Sequence, residues 1–266
     1  MSDVGLTRFE RFLLTAAREY DARDLTFVGF HWPMVAARIA RRLHAPNLSV
    51  VYECGVFEDR LTPELSTSPS DLRAAVGSPC AGTSMDALFG WLGSGRVART
   101  MLEAPIVDMH GNVNTTVVGD YDAPRVRLPG SGGGTELASL GRGLTLLCAS
   151  EDPRSFPELV DYITSPGYLV APGDREAGGY PANTGPKILI TPLGRFAFHE
   201  FRPAEILGLH EGVTPDEVRR CIPWVATGGE AQVLAGPSQE EAAVVHAVLE
   251  ESKMTCYSLP KGVTTR

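Results

Sequence analysis

Glu53 stands in the run Val50-Val51-Tyr52-Glu53-Cys54-Gly55, where a carboxylate follows a short apolar β-branched stretch and precedes a glycine. A parallel α/β sheet binds its ligands outside the carboxyl ends of its strands, so a carboxylate here can act as a nucleophile or a general base. On its own, a Glu at a strand-to-loop junction is more often a solvated surface charge. A second stretch, Gly130-Ser131-Gly132-Gly133-Gly134, leads into Thr135-Glu136-Leu137-Ala138-Ser139. Consecutive glycines ahead of a helix let the backbone approach a ligand and aim N–H groups at an anion or a developing oxyanion. A flexible turn is the competing reading. The run satisfies neither the Gly-x-Gly-x-x-Gly dinucleotide fingerprint nor the Gly-Lys-Ser/Thr of a phosphate loop.

Gly111-Asn112-Val113-Asn114 and Gly119-Asp120-Tyr121 flank a short apolar run with side chains suited both to turns and to binding. The histidines His44, His110, His199 and His210 are isolated and His31 sits beside Trp32, so none has metal-ligand spacing. Cys80, in Ser78-Pro79-Cys80, has no base beside it in sequence and makes a poor nucleophile.

Positioning these groups requires a framework, and the periodicities supply one. Glu10 to Tyr20 reads as an amphipathic helix with Phe9, Phe12, Leu13 and Ala16 at helical spacing. Leu25 to Phe30 reads as a buried strand. Pro33 suits the first turn of a helix running to Leu43, with Val35, Ile39 and Leu43 on one face and Arg38, Arg41 and Arg42 on another. Leu48 to Tyr52 is the next strand, which completes the strand–helix–strand unit of a parallel sheet and carries Glu53 at its end.

Downstream, 60–84 reads as loop and Met85 to Trp91 as a helix stopping at Gly93. Ile106–Met109, Thr115–Val118 and Leu144–Cys148 look like further strands. The Gly- and Pro-rich stretch 171–185 reads as a mobile excursion suited to covering an active site. Lys187–Thr191 and Arg195–Phe198 form a hairpin turning at Gly194. Thr214-Pro215-Asp216-Glu217 starts one helix, and Ser238 with Glu241 offers a capping box for another that ends near Glu251.

The chain has 266 residues, 43% of them hydrophobic and 21% charged, with a formal net charge of −8. That suits a globular α/β domain and argues against nucleic acid or an anionic membrane as partner, since both reward a basic footprint. The charged N-terminal segment and the lack of any run of about 18 apolar residues point to a cytoplasmic setting without a membrane span. Five scattered cysteines (54, 80, 148, 221 and 256) suggest neither a disulfide framework nor a zinc site.

In their order and wording the motifs resemble the β subunit of the family I CoA-transferases, of the glutaconate CoA-transferase type. The resemblance runs from about Leu25 to Val218. It rests on Val51-Tyr52-Glu53-Cys54-Gly55, Gly111-Asn112-Val113-Asn114, Gly119-Asp120-Tyr121 with Pro124 and Arg125, and Gly130-Ser131-Gly132-Gly133. It continues through Asp161-Tyr162-Ile163-Thr164-Ser165-Pro166-Gly167 and Gly212-Val213-Thr214-Pro215-Asp216-Glu217-Val218. The family nucleophile lies in a Ser-Glu-Asn-Gly motif; Tyr52, Glu53, Cys54 and Gly55 match it in the carboxylate and the glycine, so no family role passes to Tyr52 or Cys54.

The resemblance implies the CoA-transferase β-subunit fold, an open, mainly parallel α/β sheet flanked by helices, as a single domain over 1–266. It implies transfer of CoA between an acyl-CoA and a carboxylic or dicarboxylic acid through a glutamyl-CoA thioester on Glu53. Gly55, Gly130, Ser131, Gly132, Gly133, Asn112 and Asn114 would bind substrate and CoA. CoA and acyl-CoA serve as substrates, with no metal and no permanently bound cofactor. This chain lacks the Gly-Gly-Phe signature of the α subunit, so a separate α subunit is the expected partner, in a heterodimer or an α2β2 heterotetramer. A related branch that hydrolyses cyclic CoA thioesters looks to lack the glutamate, so Glu53 favours transfer. The alternatives are a CoA-thioester or ring-opening hydrolase on the same scaffold and a non-catalytic CoA-binding subunit. A Rossmann-type oxidoreductase is the weakest, for want of a fingerprint.

Overall fold

The computed structural model describes residues 5–62, 65–66, 68, 71–227 and 231–252. Cys256 and part of the 60–84 loop lie outside them. The elements begin with α1 (Arg8–Ala17), β1 (Leu25–Val28), α2 (Trp32–Leu43), β2 (Ser49–Val51), β3 (Val56–Glu58), β4 (Cys80–Ala81) and β5 (Arg99–Glu103). They continue with β6 (Val117–Gly119), β7 (Pro124–Arg127), α3 (Gly134–Leu140), β8 (Leu144–Leu147), α4 (Asp174–Ala177) and β9 (Pro186–Thr191). Last come β10 (Gly194–His199), β11 (Arg202–Leu209), α5 (Pro215–Cys221), β12 (Val225–Ala226) and α6 (Gln239–Glu251).

Among the described residues one mostly parallel sheet of ten strands, in the order β12-β11-β10-β9-β8-β5-β1-β2-β3-β4, organises the fold. Its centre, β9-β8-β5-β1-β2, is parallel throughout, and antiparallel pairings extend it through β3 and β4 on one side and β10 and β11 on the other. The chain leaves β1 toward β2 on one side and later inserts β5 on the other. The strand order therefore reverses at β1, which opens a crevice at the carboxyl ends.

The alternation of side chains along the strands sorts the core into layers. Val28 and Val50 face the helix layer of α1, α2 and α6, whereas Phe27 and Val51 face the other side, with Leu137 of α3 and Ala87 and Leu92. The capping boxes at Thr7/Glu10 and Ser238/Glu241 are both formed, so α1 and α6 start where cap chemistry dictates. Thr214 accepts from the backbone N–H of Glu217 and starts α5 in the same way.

On α2, Arg38 and Arg41 are buried, and Arg41 donates to Glu58 Oε2 at 2.7 Å and to Leu48 O at 2.7 Å. Four expectations need correction. The helix after 84 is a π-helical stretch, Asp86–Leu92, closed by a Gly93 N–H to Leu88 O bond. Ile106–Met109 is irregular, because the buried Asp108 carboxylate accepts from the backbone of His110, Asn112 and Val160 and curls the segment. The 187–198 hairpin turns at Pro192-Leu193, with Gly194 paired to Thr191 within the ladder.

The 171–185 excursion is pinned rather than free to cover anything. Arg175 of α4 is buried and donates to Pro166 O, Gly167 O and Thr184 Oγ1. Among the described residues no helix is long and apolar enough to cross a membrane.

Candidate active site

β2 ends at Val51, and the chain turns at once into antiparallel β3, so Glu53 sits in a tight hairpin at the carboxyl edge of the parallel sheet. Tyr52 N–H donates to Val56 O at 3.0 Å and Gly55 N–H to Tyr52 O at 2.9 Å, which closes the turn. Gly55 adopts φ +95°, and a Cβ there would lie 2.5 Å from the Gly82 carbonyl carbon, so only glycine fits. Tyr52, buried, donates to Glu58 Oε2 at 3.1 Å, beside Arg41. Burial first, and the Glu58 charge second, push its phenol well up, so it serves as a neutral anchor for the turn. The turn that carries Glu53 is thereby tied to α2 through a buried Arg41–Glu58–Tyr52 cluster.

The glycine run arrives from the other side. Gly130 N–H donates to Thr115 O at 2.7 Å and Gly134 N–H to Ser131 O at 2.8 Å, which folds the loop into the start of α3. Gly133 N–H then donates to Glu53 Oε2 at 2.9 Å. A Cβ on Gly133 would lie 2.7 Å from that oxygen, so close approach of backbone to carboxylate is what requires glycine here. A fixed N–H aimed at a carboxylate oxygen also suits an oxyanion formed when that carboxyl carbon is attacked.

Gly133→Ala should fold, because Gly133 has a negative φ (φ −82°, ψ 7°), the bridge conformation that other residues adopt in type I turns. The added methyl moves Glu53 instead. Turnover is expected to fall about 10- to 100-fold with stability changed by less than about 1 kcal/mol. Steady-state rates beside a thermal melt check this; unchanged turnover would mean the contact has no part in the chemistry.

Glu53, Gly130, Ser131, Gly132 and Gly134 line a cavity of about 770 Å³ that also takes in Gly29, His31, Leu102, Glu103 and Cys148 from the ends of β1, β5 and β8. Carboxyl ends of four parallel strands thus meet at one crevice. Gly29 allows it, since a Cβ there would come within 2.8 Å of Met101 O on β5.

The sequence singled out Asn112 and Asn114 as well, and they do not line the cavity. Asn112 is buried, donates to Asp108 Oδ2 and Leu169 O, and accepts from the N–H of Gly167 and Leu169. Asn114, also buried, donates to Val117 O and accepts from Thr116 and Val117 N–H. Both amides are taken up in holding loops behind the glycine run. Gly55 shapes the Glu53 turn from outside the cavity.

The thiols are poorly placed to compete with Glu53. Burial pushes the Cys54 thiol up, and pushes that of Cys148, fully buried at the end of β8, much further. Cys80 lies exposed on the edge strand β4.

The residues passed over in the sequence are His31 and Glu103. Their side chains meet at 2.9 Å, Nδ1 to Oε2, across the β1/β5 junction. The available signal was Gly29-Phe30-His31 between a strand and the helix-starting Pro33, the place in an α/β unit where ligands bind.

An open α/β sheet with a backbone-held carboxylate at its carboxyl edge suits nucleophilic or general-base chemistry by that carboxylate, and comparison with known proteins narrows it. The family model described as Coenzyme A transferase matches residues 24–180. Curated relatives include the B subunit of glutaconate CoA-transferase from Acidaminococcus fermentans, 30% identical over 201 residues, covering 74% of this chain and 74% of the relative. Another is the B subunit of 3-oxoadipate CoA-transferase from Pseudomonas knackmussii, 32% identical over 244 residues, covering 90% and 92%. The crystal structure of glutaconate coenzyme A-transferase from Acidaminococcus fermentans superposes with a TM-score of 0.83 at 26% identity, covering 97% of this chain and 99% of that one. The chain belongs to the coenzyme A transferase family. It is a transferase.

Proposed function

We propose that this chain is the β subunit of a heteromeric CoA-transferase and that Glu53 carries the acyl and CoA groups in turn. The observation that carries the reading is the Glu53 carboxylate, held by Gly133 N–H at 2.9 Å over a cavity at the strand ends. A Glu53 oxygen attacks the thioester carbonyl of the donor, the C–S bond breaks, and CoA leaves as thiolate. The product is an acyl-glutamyl anhydride. The thiolate then attacks the Glu53 carbonyl carbon, the donor acid departs as carboxylate, and a glutamyl-CoA thioester remains.

The acceptor carboxylate runs the steps in reverse. Each step exchanges one acyl bond for another, so the thioester's free energy is conserved and no proton donor or ATP is needed. In each tetrahedral intermediate on Glu53, Gly133 N–H stands where negative charge develops.

The relatives are named as B subunits of CoA-transferases, which supports a separate α subunit as partner and an acyl-CoA and a carboxylic acid as substrates. The alternative on the same scaffold is a thioester hydrolase in which Glu53 acts as base toward water. Steady-state kinetics of the complex separates the two. Transfer predicts parallel double-reciprocal lines when donor and acceptor are both varied, negligible CoA release without acceptor, and an inactive β chain when expressed alone. Intersecting lines, or full turnover to free acid without acceptor, would overturn the proposal.

A further inference from the structure

The stretch Asp161-Tyr162-Ile163-Thr164-Ser165-Pro166-Gly167 has no part in the transfer steps, yet it packs directly behind the glycine run. Consecutive glycines lack the side chains that would fix them, and each loses more conformational freedom on folding than any other residue. The start of α3 does not restrain them, since Gly133 at its N-cap forms no side-chain cap. Within the run, Gly134 N–H to Ser131 O at 2.8 Å closes one turn. The aim of Gly133 N–H at Glu53 Oε2 has to be imposed from outside.

Thr164 reaches both ends of the run. Its carbonyl accepts from Thr135 Oγ1 at 2.8 Å, and Thr135 carries the first side chain after the glycines. Its own hydroxyl accepts from Thr115 N–H at 3.0 Å and meets Thr116 Oγ1 at 2.7 Å. Thr115 O in turn takes Gly130 N–H at 2.7 Å. Gly130 and Thr135, which bracket the run, are thus bonded to one short bridge between two loops. That bridge is anchored in its turn. Val113 N–H donates to Ser165 O at 2.9 Å and Ser165 N–H to Val113 O at 3.0 Å, and Asn112 Oδ1 takes Gly167 N–H at 2.8 Å. A Cβ on Gly134 would lie 3.1 Å from Ser165 Oγ, so run and bridge are in direct contact. Thr164 is buried, which strengthens hydrogen bonds by keeping water from competing for them.

We infer that Thr164 and Thr135 are positioning residues for the reaction: their bond fixes the glycine run so that Gly133 N–H meets the oxygen on which charge develops when the Glu53 carbonyl carbon is attacked. This rests on the CoA-transfer reading and adds to it the residues that hold its oxyanion donor in place. Both threonines act through Gly133 and neither touches substrate in this scheme. A donor preorganised in this way stabilises the transition state without moving at the moment of reaction.

The test uses the complete complex in a single turnover with acyl-CoA and no acceptor, quenched at intervals to follow the thioester between Glu53 and CoA. Thr135→Val keeps the shape of the side chain and removes its hydroxyl. It should slow thioester formation about tenfold, the scale of a small misplacement of a catalytic group. Calorimetric affinity for CoA should stay within about twofold of the parent, because the donor acts in the transition state and not in ground-state binding. Thr135→Ser restores the hydroxyl and should recover most of the rate. Thr164→Val frees Thr115, and with it Gly130, so it should slow the same step; it serves where Thr135→Val folds poorly. Parent-like rates in both valine variants, or a loss of rate matched by a loss of affinity and not recovered by serine, overturns the assignment. If the parent forms no thioester at all, the transfer reading fails, and amide hydrogen exchange over 128–137 then decides whether the threonines hold the run. Faster exchange in Thr135→Val confined to that segment supports it, and exchange equal to the parent's overturns it.

Discussion

Glu53→Gln is expected to fold like the parent and to lose CoA transfer by at least about three orders of magnitude, the scale on which removal of a nucleophile acts. The amide keeps the size of the side chain and an oxygen that can still accept from Gly133 N–H, so the turn between β2 and β3 has no reason to move. What is lost is the carboxylate oxygen that forms the anhydride in the proposed mechanism. Stability should therefore stay within about 0.5 kcal/mol, as for surface substitutions generally. Cys54→Ser should change transfer far less, because the thiol has no step in the scheme and burial keeps it protonated. The check is kcat on the assembled complex together with a thermal melt. Normal transfer by Glu53→Gln would remove Glu53 from the mechanism.

The largest stability effect is expected at Arg41. Its guanidinium and the Glu58 carboxylate are each 4% exposed and meet at 2.7 Å, with further bonds from Arg41 to Leu48 O and from Tyr52 to Glu58. Arg41→Met leaves the Glu58 charge buried without its counter-ion, which costs about 3–5 kcal/mol. For a chain of this size that lowers Tm on the order of 10 °C. Adding Glu58→Leu removes the orphaned charge and should restore much of the loss. Calorimetry on the parent and the two variants tests this. A fall of less than about 1 kcal/mol in Arg41→Met would mean that the pair behaves like a solvated one.

The same residue shows where sequence reasoning stopped. The sequence placed three arginines on one face of α2 without showing that two of them are buried, because helical periodicity reports which residues are apolar, not which charges have buried partners. The partners of Arg41, Leu48 O and Glu58, come from elements whose position beside α2 is a matter of tertiary packing. The central strand β5 escapes a sequence reading for a related reason. Its residues Arg99 to Glu103 carry a charge at each end, so it does not read as the apolar run expected of a buried parallel strand. Arg99 meets Asp24 at 3.2 Å and Glu103 meets His31 at 2.9 Å, both off the strand.

Other features were legible because their causes are local. The starts of α5 and α6 follow from a capping hydroxyl and an acid three residues on. The glycine run was readable as a backbone that approaches a ligand, and the group it approaches here is Glu53, 80 residues away. The sequence offered both features without showing that they touch. Asn112 and Asn114 were legible as amides in turn-rich segments, but nothing local distinguishes an amide that binds substrate from one that holds a loop. His31 reads as a lone histidine in the sequence, because its partner Glu103 is brought to it only by the parallel pairing of β1 with β5.

The central claim is that Glu53 becomes covalently linked to CoA, and mass spectrometry tests it most directly. The complex is incubated with acyl-CoA in the absence of acceptor, digested, and its peptides weighed with and without hydroxylamine. The account predicts a CoA adduct on the peptide containing Glu53, discharged by hydroxylamine and absent from Glu53→Gln. An adduct on Cys54 or Cys80 instead, or turnover with Glu53 unmodified throughout, would contradict it.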